Sequence, residues 1–127
     1  MKEMRTPLRT VRGLGSAHDG TSHFWITRVS GAALVPLSLF AVGVVFSLLG
    51  KGHAEALAAL GRPVVALPLI LFVAIGAGHM RLGIHESIAD YIHDDLLKVA
   101  VLMLNTAFCL LVGAAGVFSL LIIAFGA

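Results

Sequence analysis

Three long stretches without a single charged residue constrain this chain more than any other feature. They run over 29–50, 63–80 and 99–127. A helix needs about 20 apolar residues, at about 1.5 Å of rise each, to cross the hydrocarbon core of a bilayer. Each stretch is at or near that length. The pattern predicts an all-α membrane protein with three transmembrane helices, at about 24–50, 63–92 and 98–126. They form one anchor domain, 24–127, after a cytoplasmic N-terminal segment, 1–23. Composition excludes the main alternatives. Of 127 residues, 58% are hydrophobic and 13% charged, whereas a soluble domain carries about 25% charge. So small a soluble domain could not cover its surface, and a chain this apolar is not disordered. The single cysteine, Cys109, forms no disulfide framework and reads as a small core or lipid-facing residue. The start is not a signal peptide, because about 28 residues rich in Arg, Gly and polar groups precede the first apolar run. No basic face or module for nucleic acid is visible.

Orientation follows from Lys and Arg. Lys2, Arg5, Arg9 and Arg12 precede the first span and Arg28 stands at its start. Lys51 and Arg62 lie between the first two spans, Lys98 precedes the third, and none follows it. The N-terminus is therefore expected in the cytoplasm and the C-terminus in the periplasm. The short connection at 51–62 is expected to form an amphipathic helical turn at the far interface. Pro36 and Pro68 fall inside spans and predict local kinks, which membrane helices tolerate. Gly113, Ala114, Ala115 and Gly116 form a small-residue patch. It allows close helix approach or is ordinary lipid-facing filler, and sequence does not choose.

The second span ends in a run of polar residues, from His79 to Asp95. Ionisable groups at membrane depth usually face a bundle interior or a cavity. At about 100° per residue, His79, Gly83, Glu86 and Asp90 share one stripe, with Tyr91 about a third of a turn round. His79 lies roughly 16 Å along the axis from Asp90. It has three uses open to it: haem or metal ligand, proton relay, or hydrogen-bonded structural residue. Gly83, one turn on, favours haem by leaving room for a flat macrocycle. His85 points about 120° away, so a six-coordinate haem needs its second ligand from another chain. Asp90 and Tyr91 read equally as interface anchors or as a quinone pocket. A phenol there would donate to a quinone carbonyl, and the carboxylate would orient it or pass protons. Asp94 and Asp95 read as solvated loop charges.

The pattern His79-x3-Gly83-x6-Asp90-Tyr91, followed by Ile92-His93, resembles the hydrophobic membrane anchor of succinate dehydrogenase (complex II). It is most similar to the alphaproteobacterial and mitochondrial type. The lead-in to the first span agrees: Arg12-Gly-Leu-Gly-Ser16, then His23-Phe-Trp25-Ile-Thr-Arg28-Val-Ser30. The resemblance covers nearly the whole chain. It departs at Ile92, where Val is commoner, and at Asp94, where Gly often stands.

By that resemblance His79 is an axial ligand of haem b, shared with the partner anchor, a cytochrome b protein. Tyr91 hydrogen-bonds ubiquinone, with Asp90 its neighbour. Arg28 lies near a haem propionate and the quinone pocket. Ser30 and Trp25 fall in the same region. Arg81 and His85, on a face opposite His79, reach the partner anchor, a propionate or headgroups, or make partner contacts without chemistry. The family's flavoprotein and iron–sulfur subunits sit on the cytoplasmic side. The expectation is a subunit that is not catalytic alone, in the bacterial inner membrane, with lipid around it. It serves a succinate:ubiquinone oxidoreductase of the respiratory chain and tricarboxylic acid cycle. Two alternatives stand beside it: the anchor of a fumarate reductase, and a small proton-coupled transporter with Glu86 or Asp90 as proton carrier.

Overall fold

The computed structural model describes residues 6–8 and 20–126. Lys2, Arg5, Arg9, Arg12 and the lead-in segment 12–16 lie outside them. Among the described residues, four helices account for the regular structure, in the order α1 (Gly20–Leu48), α2 (His53–Leu60), α3 (Pro63–Tyr91) and α4 (Asp95–Phe125). Three of these, α1, α3 and α4, are long and apolar enough to cross a membrane. The short α2 forms the turn of helix expected between the first two spans.

The boundaries follow from local chemistry. Gly50 takes a left-handed φ of 78° just past α1, a conformation glycine adopts without a Cβ penalty. Pro63 opens α3 after an extended Arg62, where its missing N–H would have no partner anyway. Asp94 caps α4: its Oδ1 accepts from the Leu97 N–H at 2.8 Å. It is therefore more than a solvated loop charge. At the other end, Gly126 closes α4 in the left-handed region, with φ 68°. Both α1 and α3 run on through Pro36 and Pro68.

Inside the helices, hydroxyls find acceptors on their own backbone. Ser38, Ser47, Ser87, Thr106 and Ser119 each donate to a carbonyl three or four residues back. A polar side chain satisfied in this way can sit at membrane depth without an unpaired donor.

α3 is the central element, with α4 against one side and α1 against the other. The α3–α4 contact is the tighter. A Cβ at Gly113 would lie 2.9 Å from the Ala77 Cβ, and one at Gly116 would lie 2.7 Å from a Val73 methyl. Gly113 and Gly116 thus make a helix–helix contact that needs glycine, whereas Ala114 and Ala115 between them are exposed. Asn105 and Cys109, both buried, belong to the same seam. Little else is buried. Apolar side chains such as Leu39, Phe46 and Leu104 point outward along all three long helices. An outward apolar surface over three bilayer-length helices is what lipid and neighbouring helices would cover.

Candidate functional site

α1 and α3 run antiparallel, and two polar contacts define their register. His23 Nδ1 lies 3.1 Å from Glu86 Oε1. Seven residues further into α1, the Ser30 hydroxyl lies 2.8 Å from His79 Nδ1. Seven residues also separate Glu86 from His79 on α3, so both contacts sit two turns apart on each helix.

His79 is half-buried and lies against α1. A Cβ on Gly31 would come within 3.3 Å of its Cε1, so glycine lets the ring rest close to the α1 backbone. One ring nitrogen is held by Ser30, which also donates to the Thr27 carbonyl at 3.1 Å. Nε2 has no hydrogen-bond partner among the described residues. Gly83, one turn on, is exposed, and a Cβ there would meet nothing within 4 Å. Gly83 thus adds no bulk to the exposed side of the stripe.

Further along the stripe, Glu86 is paired with His23, whose ring centroid lies 6.0 Å from that of His85. Sequence reasoning missed this part for His23: only the α1–α3 register brings it to Glu86. Asp90 and Tyr91 follow at the end of α3 and are exposed, Tyr91 at 83%. The chain then turns through an extended Ile92 into the Asp94 cap.

The remaining sequence candidates fall elsewhere. The Arg28 guanidinium stacks over the Phe24 ring at 4.9 Å, and Phe24 meets Trp25 edge-on. Arg81 turns to α4, not to α1. Its Nε donates to Thr106 Oγ1 at 3.3 Å, and its carbonyl accepts from Asn105 Nδ2 at 3.1 Å. With His85 it lines a groove of about 460 Å³ between α3 and α4, walled by Val99, Leu102 and Leu110. The structure therefore unites Ser30 with His79 and sends Arg81 to the opposite flank.

The described residues contain no cluster of three or more His, Cys, Asp or Glu that could hold a metal ion. A lone histidine of this kind could serve as one ligand to a prosthetic group that brings its other donors, as a proton relay, or as a hydrogen-bonded structural residue. The geometry fits the first use. One nitrogen is anchored by a hydrogen bond, the other is free of partners among the described residues, and the glycine one turn away is exposed.

Fold and site together define a membrane-spanning helical subunit: three spans, an outward apolar surface, and one polar stripe too exposed to enclose a cofactor alone. The sequence matches the family "Succinate dehydrogenase/Fumarate reductase transmembrane subunit" over residues 2–114, and the chain belongs to that family. It is 38% identical over 122 residues to a succinate dehydrogenase hydrophobic membrane anchor subunit of Paracoccus denitrificans, covering 96% of this chain and 94% of the relative. A protein of the same description from Rickettsia bellii (strain RML369-C) is 27% identical over 86% of this chain and 87% of its own. Another, from Rickettsia conorii (strain ATCC VR-613 / Malish 7), is 26% identical over 93% and 94%. No solved structure matches significantly. The chain is thus a multi-pass membrane protein, and the transporter alternative has no support.

Proposed function

We propose that this chain is the hydrophobic membrane anchor of a succinate:quinone oxidoreductase in a bacterial inner membrane. It docks the flavoprotein and iron–sulfur subunits with its N-terminus on the cytoplasmic side, and its C-terminus lies in the periplasm. With the partner anchor, the cytochrome b protein, it forms a haem b site and part of a ubiquinone site. The observation that carries this reading is the polar stripe of α3. It presents a hydrogen-bonded histidine within the span, its other nitrogen without a partner among the described residues, and a carboxylate–phenol pair at its end.

His79 would hold haem b through Nε2, together with a residue of the partner anchor. Bound haem supplies a one-electron site inside the bilayer. The residues of this chain do the rest by position. Ser30 holds the far side of the His79 ring. Tyr91 donates a hydrogen bond from its hydroxyl to a ubiquinone carbonyl without burying a charge. Asp90, the preceding residue, accepts and passes protons at the same level. Reduction to the quinol takes two electrons, from succinate oxidised in the partner subunits, and two protons. Arg28, five residues past His23 on α1 and stacked over Phe24, would lie near the propionates and the quinone. The same site serves quinol oxidation if the complex runs as a fumarate reductase, since the family spans both directions.

Tyr91→Phe in the assembled complex tests the quinone role. Succinate-driven quinone reduction should fall roughly tenfold, the size of one lost hydrogen bond of about 1.4 kcal/mol. Succinate oxidation by a soluble dye acceptor should be unchanged. An equal loss of both, or no loss of either, would count against the assignment.

A further inference from the structure

We infer that Ser30 is a positioning residue for the axial histidine: it selects the tautomer of His79 and tunes the potential of the haem that His79 holds. This goes further than a place in the haem or quinone vicinity, and it rests on the haem reading of His79.

A serine hydroxyl has one proton to donate and lone pairs to accept with. The Ser30 Oγ sits 3.1 Å from the Thr27 carbonyl, three residues back on its own helix, and 2.8 Å from His79 Nδ1. The Thr27 carbonyl can only accept. With the serine proton directed there, Oγ is left as an acceptor, and Nδ1 must bear the proton of the neutral ring. The lone pair then lies on Nε2, the nitrogen with no partner among the described residues. That is the tautomer a metal-binding imidazole needs, set by the hydrogen bond its other nitrogen makes.

The arrangement is held from several sides. Thr27 contributes through its backbone carbonyl, which no side-chain change removes. Its own hydroxyl is engaged by the His23 carbonyl at 2.9 Å and does not compete. Gly31 lets the ring lie against α1, since a Cβ there would be 3.3 Å from Cε1. Two turns away, His23 and Glu86 hold the same register.

The consequence is electronic as well as steric. A hydrogen bond from Nδ1–H raises the basicity of the ligating nitrogen. A more basic ligand favours ferric over ferrous iron and lowers the midpoint potential. Removing the acceptor should therefore raise that potential.

The test is a redox titration of the haem b absorbance in the purified complex carrying Ser30→Ala or Ser30→Thr. The expected result is a higher midpoint potential in Ser30→Ala and wild-type behaviour in Ser30→Thr, which keeps the hydroxyl. Should Ser30→Ala lose its haem while Ser30→Thr retains it, the hydroxyl is again the operative group. A wild-type potential and spectrum in Ser30→Ala would overturn the inference. So would equal change in both variants, because packing alone would then explain it. A wild-type complex without b-type haem, or one that keeps its haem in His79→Ala, instead refutes the haem reading beneath.

Discussion

At the scale of single residues, the stripe on α3 divides into positions that sequence makes legible and partners that it does not. The i, i+4, i+7, i+11 spacing of His79, Gly83, Glu86 and Asp90 is a local property of a helix, so it is readable directly. The partner of His79 is not. Ser30 is forty-nine residues away, and only the pairing of α1 with α3 makes it a neighbour. His23 is invisible as the partner of Glu86 for the same reason. Arg81 is the opposite case: a cation close to His79 in sequence that departs toward Thr106 on α4. Two residues apart on a helix means about 200° apart in direction. Arg81→Gln should therefore leave the haem spectrum near wild type. An axial-ligand band displaced as strongly as in a Ser30 variant would contradict that separation.

Among the elements, the two contacts of α3 differ in kind. Toward α4 it relies on close packing, and toward α1 on polar register contacts. Gly116→Ala must move Val73, a stiff β-branched side chain whose methyl would lie 2.7 Å from the new Cβ. A loss of about 1–3 kcal/mol is expected, as for an overpacked core, measured as a lower melting temperature of the complex in detergent. An unchanged melting temperature would show that the seam can relax. His23→Ala removes a partly exposed pair and should cost at most about 1 kcal/mol. Sequence cannot resolve the patch at 113–116, because a small residue facing lipid and one facing a helix are spelled alike. The cap differs. Asp94 stands before a helix start and has the side chain for it, so its signal is present in the sequence even though the loop-charge reading passes over it. Asp94→Ala should cost about 1 kcal/mol of stability.

For the molecule as a whole, the three spans are legible because hydropathy over a bilayer-length window depends on no partner. The assembly is legible only by implication. Many large apolar side chains are exposed, and on the proposed reading this chain supplies one of two haem ligands, so the site would close only when other chains arrive. Expressed without its partner anchor, the protein should therefore be isolated without stoichiometric haem. A phosphatase fused after residue 127 should be active if the C-terminus is periplasmic, and inactive if the three spans run the other way. The most direct test of the central claim is the reduced-minus-oxidised optical spectrum of the purified complex, compared between wild type and His79→Ala. The expected result is a b-type haem signal in the wild type that is lost in the variant, with the partner subunits still co-purifying. An undiminished haem signal in His79→Ala would contradict the assignment of His79 as ligand.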